Sequence, residues 1–386
     1  MIEVADILRR HGPAYAPPQA LLPSQRKVLR DLVDCRTAAR GGQLYQCDHC
    51  AHQHYSYHSC GNRHCPKCHG QQTERWLQEH REQLLPCAYY LLTFTLPSGL
   101  RALAYAHQKA IYALLLSSAA AALQKLAWDP RYVGGQLAML AVLHTWTRAL
   151  LDHPHVHLLA SAGGLSPDGH RWVHPQNPAF LVPCFALSKI FQGKFKAGLK
   201  KLGFFPEVPP SVWQQKWVVH CQHAGSGAKV LDYLGRYVFR IAISNSRLER
   251  FEHGQVTFRY RDNRTQQLQH LTLSAQEFIR RFLRHVLPKG FVKVRSYGLW
   301  SSRAADPLEK ARALLSPAST AQPTHQEAIQ NPATLPPSTA NPQPLPQCPQ
   351  CKTGHLIWLR QLPRRPGWLG LRAGPLLSST EQPRGP

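Results

Sequence analysis

His153-Pro154-His155-Val156-His157-Leu158-Leu159-Ala160-Ser161 is the stretch on which the reading of this chain turns. From His155 to Ser161, closed by Gly163-Gly164, it predicts a strand. Side chains alternate faces along a strand, so His155 and His157 point the same way. Two imidazoles so placed can hold one divalent cation and leave positions for phosphate oxygens and water. The pattern also arises by chance among 22 histidines, so its meaning depends on its company.

Outward from this stretch, Tyr89 to Leu96 predicts a core strand, and Trp217 to Cys221 a short one. Val256 to Arg261 and Phe291 to Tyr297 alternate as half-buried strands do. Helices are predicted within residues 1–40, broken at Pro17-Pro18, and over 73–85, 99–127, 136–151, 228–240 and 275–285. A further lysine-bearing helix falls within 175–210. Strands interleaved irregularly with helices indicate an α+β domain, here preceded by a small zinc-knuckle module. Beyond 316 the chain is rich in Pro, Ser, Thr and Gln and holds 14 of the 32 prolines, the composition of a flexible tail. The expected division is 1–86, 87–315 and 316–386.

Lys and Arg total 46 against 21 Asp and Glu, a net charge of +25. Such an excess favours a polyanionic partner, most often nucleic acid. A membrane-surface role would need a basic amphipathic helix or a lipidation signal, and neither is seen. The apolar stretch Ala110 to Leu123 is shorter than the roughly 20 residues that cross a bilayer. The acidic N-terminus has no signal-peptide pattern, so a soluble, cytoplasmic protein is expected. In a reducing compartment its 11 cysteines point to metal rather than disulfides.

Cys47-Asp48-His49-Cys50 and Cys65-Pro66-Lys67-Cys68 are two C-x2-C knuckles, the donors of a tetrahedral structural Zn²⁺. Cys60 and His64 lie between them, so a swapped ligand or second ion is possible chemistry. Tyr55, Tyr57, Arg63 and Lys67 sit among the ligands as candidate phosphate contacts. Cys348-Pro349-Gln350-Cys351 is half a knuckle with no evident second half, although His355 is near.

In Tyr233-Leu234-Gly235-Arg236-Tyr237 the phenols stand at i, i+4 and share a helix face; Arg236 and Arg240 form a second such pair able to grip phosphates. Buried aromatics would read the same way; the His strand, basic charge and zinc module favour chemistry. A tyrosine hydroxyl can attack a phosphodiester beside a metal, giving a 5′-phosphotyrosine that conserves bond energy for rejoining. Two tyrosines let one DNA end be held while another is attacked.

Many runs in order then resemble one family. They include Cys35-Arg36-Thr37-Ala38, Ser59-Cys60-Gly61-Asn62-Arg63-His64-Cys65-Pro66-Lys67-Cys68 and Thr93-Phe94-Thr95-Leu96-Pro97. His144-Thr145-Trp146, the His153–His157 run, Gly163–Gly169, Tyr233–Tyr237 and Leu287–Gly298 follow. The chain resembles, over roughly residues 8 to 315, the HUH-superfamily two-tyrosine transposases of rolling-circle insertion sequences, the insertion-sequence-ninety-one family. The resemblance implies a central antiparallel sheet flanked by helices and Mg²⁺ or Mn²⁺ on His155 and His157. It also implies Tyr233 and Tyr237 as nucleophiles and single-stranded DNA at element ends and target as partner. A third metal ligand is expected, with His144, Gln222 and Asp232 as candidates. A carboxylate-triad transposase does not suit an acid-poor chain. A tyrosine recombinase would use Leu283-Arg284-His285 and Tyr297, but position 281 is Arg where that active site wants His. A replication initiator or relaxase shares the chemistry, and a non-enzymatic zinc DNA-binding regulator would leave the His strand and Tyr pair as packing.

Overall fold

The His-x-His strand lies inside an antiparallel sheet whose two faces do different work. The computed structural model describes residues 2–15, 20–68, 74, 78, 84–177, 180–226, 230, 241–262, 265–316 and 345–367. Two units result: Met1–Val33 with Gly61–Ser316, and Asp34–Cys60 with Pro317–Pro386. This division cuts across a linear one at 86 and 315. The strands are β1 (Gly42–Cys47), β2 (Gln53–Tyr57), β3 (Ala88–Thr95), β4 (Ala138–Trp146), β5 (Asp152–Ser161), β6 (Gly164–Leu165), β7 (Trp172–Val173), β8 (Val219–Ser226), β9 (Leu248–Glu252), β10 (Gln255–Arg261), β11 (Leu268–Ser274), β12 (Val294–Gly298) and β13 (Leu356–Leu362). The helices are α1 (Val4–Tyr15), α2 (Pro23–Val33), α3 (Arg101–Ala106), α4 (Gln108–Ala127), α5 (Cys184–Lys201), α6 (Ser211–Gln214), α7 (Ala275–Arg284) and α8 (Ala305–Leu315).

In the first unit, five strands run in the order β12-β4-β5-β3-β8, every neighbour antiparallel. Strand alternation sends Tyr90, Leu92 and Phe94, Met139, Ala141 and Leu143, and Val156, Leu158 and Ala160 into the main core with α4 and α5. Each fully buried apolar side chain there is worth roughly 1.5–3 kcal/mol. The opposite face carries Leu140, Val142 and Leu159 in a smaller apolar cluster, and the histidines beyond it. Helix α4 is long and apolar enough to span a bilayer by composition alone, but Ile111, Leu115, Ala119 and Leu123 are fully buried in the protein's own core.

The α+β architecture and the antiparallel sheet flanked by helices agree with the sequence reading, with one correction that matters. Residues 136–151 were expected to be a helix, whereas Ala138–Trp146 is a strand whose nine residues are all buried. A strand covered on both faces loses its alternation, and an uninterrupted apolar run then looks the same as a buried helix. Helices expected over 73–85 and 228–240 fall largely outside the described residues.

A three-stranded sheet, β9-β10-β11, leads directly into α7. Ser274 caps that helix, its hydroxyl accepting the Glu277 backbone N–H, so Ser274 and Glu277 stand at the two ends of an S-x-x-E start signal. The N-terminal helices dock nearby: Gln25 donates to the Leu283 carbonyl, and the Val4 N–H donates to Asn245 Oδ1. In the second unit, β1 pairs on one side with β2 and on the other with β13, both antiparallel. The tail therefore contains an ordered strand.

Candidate catalytic metal site

Pairing register assembles the site. His144 on β4 lies opposite His155, and Thr95 and Thr93 on β3 lie opposite His155 and His157. Ligand atoms of His144, His155 and His157 all fall within 4.8 Å of one another. Ring centroids are 4.8 Å apart for His155 and His157, and 4.9 Å for His144 and His157. His144 is buried and stacks on Trp146 at 5.0 Å, while the other two rings are half-buried.

Neighbours fix the rings. His155 Nδ1 is 2.7 Å from the His153 carbonyl, which can only accept, so Nδ1 carries the proton and Nε2 presents its lone pair. His157 Nδ1 lies 3.2 Å from Thr93 Oγ1, a hydroxyl able to donate or accept, so this contact holds the orientation of the ring. Arg101 donates to His153 Nδ1 at 3.1 Å; burial first, and then this guanidinium, lower the His153 pKa. His153 is therefore neutral and acts as a brace.

The histidines line a cavity of about 260 Å³ shared with Thr93, Thr95, Trp146, Arg148, His153 and Arg247. Arg247 is anchored through the Arg259 carbonyl at 2.8 Å and the Arg148 carbonyl, with its guanidinium over Phe258. Burial raises the Asp152 pKa against the opposing pull of Arg284, with which Asp152 pairs at 3.4 Å. Arg284 also lies over the Tyr105 ring at 4.3 Å. Three imidazole donors with room for oxygen ligands fit a divalent cation, and among the described residues no carboxylate joins them, a donor set that suits Mn²⁺ better than Mg²⁺.

Of the third-ligand candidates, His144 joins the pair. Gln222 stands on β8 opposite Leu91, level with Leu159 and separated from β5 by β3. Asp232, Tyr233, Arg236, Tyr237 and Arg240 lie outside the described residues. Arg63, expected at DNA, instead donates to the carbonyls of Phe291 at 2.6 Å and Pro288 at 3.1 Å. Lys67 pairs with Glu3 at 2.5 Å. Both cations are thus engaged in holding the fold. Thr93, Trp146, Arg148 and Arg247 were not singled out from sequence as site residues; only the alternation of 89–96 hinted that its threonines face away from the core.

The two expected zinc knuckles do not share one site. Cys47 and Cys50 gather with Cys348 and Cys351 and so supply the second half of that half knuckle. Cys65 and Cys68 are buried in a turn of their own, the Cys65 N–H donating to the Asn62 carbonyl and the Cys68 N–H to that of Cys65. Cys60 is half-buried. His64 belongs to no close group of metal-binding atoms among the described residues; burial holds its pKa down at about 3.

Two family models match. One described as "Putative transposase" covers residues 138–306, and one described as "Transposase zinc-binding domain" covers residues 7–96. The chain is 38% identical over 382 residues to "Putative transposase y4qJ" of Sinorhizobium fredii, spanning 92% of this chain and 94% of that protein. It is 30% identical over 300 residues to "Transposase for insertion sequence element IS801" of Pseudomonas savastanoi pv. phaseolicola, spanning 72% of this chain and 70% of the other. No solved structure matches. Similarity along nearly the whole of both proteins, with both matched segments in order, makes this chain a member of the IS91 family of insertion-sequence transposases, with an N-terminal zinc-binding domain.

Proposed function

We propose that this transposase nicks and rejoins single-stranded DNA at element ends and target through a 5′-phosphotyrosine, with Tyr233 and Tyr237 as nucleophiles. The meeting of His144, His155 and His157 on one sheet face carries the reading. These histidines would hold Mn²⁺ or Mg²⁺, which when bound supplies Lewis-acid polarisation of a phosphate oxygen. Arg148 and Arg247, at the same cavity, would orient the scissile phosphate. Trp146 offers an aromatic surface to a neighbouring base. A tyrosine oxygen bonds to phosphorus as the bond to the 3′-oxygen breaks; the phenol proton is lost and the 3′-oxygen takes one up, leaving a 3′-hydroxyl. The reverse attack by a 3′-hydroxyl restores the strand without a nucleotide cofactor.

Zinc fits the reading as a structural element. With Cys47 and Cys50 turned to Cys348 and Cys351, the thiols left in segment 7–96 are Cys35, Cys60, Cys65, Cys68 and Cys87. Among them Cys65 and Cys68 stand together in one buried turn and can offer two sulfurs to zinc, while Cys87 packs against apolar clusters.

Single-stranded DNA labelled at either end, incubated with protein and Mn²⁺ and run on denaturing gels, tests the chemistry. The 3′-labelled downstream fragment is expected to stay on the protein. Attachment of the 5′-labelled fragment would indicate recombinase-type 3′ linkage, and no attachment a DNA-binding regulator; either result overturns the proposal.

A further inference from the structure

We propose that Cys47, Cys50, Cys348 and Cys351 form one tetrathiolate zinc site that fastens the far segment of the chain into the unit built on β1. The segment matched as a zinc-binding domain ends at residue 96, so two of these ligands lie outside it.

The four sulfurs lie within 4.8 Å of one another. Cys47 Sγ is 3.7 Å from Cys351 Sγ, and Cys50 Sγ is 3.8 Å from Cys348 Sγ. Zinc–thiolate bonds of about 2.3 Å put the corners of a tetrahedron about 3.8 Å apart. A disulfide would bring two sulfurs to about 2.05 Å. The spacing is that of thiolates around an ion.

The backbone makes the same turn twice. After the first pair, the Ala51 N–H donates to the Cys47 carbonyl at 3.2 Å, and Ala51 has φ 56°. After the second, the Lys352 N–H donates to the Cys348 carbonyl at 3.0 Å, and Lys352 has φ 57°. Non-glycine residues rarely adopt such φ values, so its recurrence at the same offset from each C-x2-C is a shared device for aiming two sulfurs at one point. Backbone donors face those sulfurs: His49 and Cys50 N–H groups lie 3.4 and 3.5 Å from Cys47 Sγ, and the Gly354 N–H lies 3.3 Å from Cys351 Sγ. Such donors stabilise thiolate charge on a metal.

The knuckles are also locked to each other. The Asp48 N–H donates to the His355 carbonyl at 3.1 Å, and the His355 N–H donates to Asp48 Oδ1 at 2.8 Å. Strand pairing begins at once, with Cys47 opposite Leu356. A Cβ at Gly354 would sit 2.6 Å from Cys47 Sγ, so no side chain fits between the pairs. Four soft sulfur donors select Zn²⁺ over hard cations.

Alkylation of the native full-length protein with iodoacetamide, with and without a zinc chelator and mapped by mass spectrometry, tests this. Cys348 and Cys351 should be protected together with Cys47 and Cys50, and all four should become reactive together on chelation. Zinc content should fall by one equivalent per chain in Cys348→Ser/Cys351→Ser, and by the same amount in Cys47→Ser/Cys50→Ser. If Cys348 and Cys351 react equally fast with and without chelator while Cys47 and Cys50 respond to it, the shared site is disproved. That comparison uses wild-type protein, so it does not depend on a variant folding, and it is independent of DNA cleavage.

Discussion

At the scale of single residues, the proposed chemistry depends on how the imidazoles are held. His155 and His157 each have the ring nitrogen away from the site engaged, one by a backbone carbonyl and one by Thr93. Thr93→Val is expected to raise the Mn²⁺ concentration needed for half-maximal cleavage by about 10-fold, as lost support of a ligand usually does. His144→Ala should raise it by about 100-fold or more and leave DNA binding in chelator unchanged. An unaltered Mn²⁺ titration in His144→Ala would remove that residue from the site. Tyr233→Phe combined with Tyr237→Phe should abolish the covalent adduct and retain binding, read by denaturing gel and by filter binding. The His155/His157 pair was visible in the sequence because strand alternation alone puts both on one face. His144 stood there only as one of several candidates. Its place depends on the His144–His155 register, and no local pattern encodes that.

At the scale of elements, α7 illustrates local signals and β4 their failure. Ser274→Ala should lower stability by about 1 kcal/mol in urea unfolding, the usual effect of losing a helix cap. In the first turn, hydrogen bonds from Arg280 and then Arg281 hold the Glu277 carboxyl down at about 2, against opposing desolvation. A depressed carboxylate contributes stability above its unfolded pKa of about 4.3, and that contribution is lost as pH falls through the folded value. Wild type should therefore be more stable than Glu277→Gln at pH 7, with the difference shrinking below about pH 4 and closing near pH 2. The sequence reading placed a helix over 275–285, and α7 spans Ala275–Arg284 behind its Ser274 cap. In β4, Ala138 to Trp146 is apolar almost throughout, and burial on both faces removed the periodicity that separates strand from helix. The misread element is the one that brings in His144.

At the scale of the whole molecule, the net charge of +25 sets how DNA is met. For about five phosphate contacts to a single strand, raising salt from 50 to 200 mM should weaken binding about 100-fold, measurable by fluorescence anisotropy. A salt-insensitive affinity would argue against a phosphate-dominated interface. Composition made the charge and the Pro-rich tail plain, but the tail's strand and the destination of Cys348 were hidden. Cys50 and Cys348 stand 298 residues apart, beyond any window in which spacing speaks. Chain-closure entropy grows only slowly with loop length, so that distance is no great thermodynamic barrier.

The pairing of β1 with β13 has a consequence for biosynthesis. One flank of β1 has its hydrogen-bonding groups open until the ribosome has delivered residues 356–362, long after the sheet that carries the histidines has been made. Any copy of the gene interrupted between those two stages would give a polypeptide with its histidine-bearing face complete and an early strand still waiting for its neighbour.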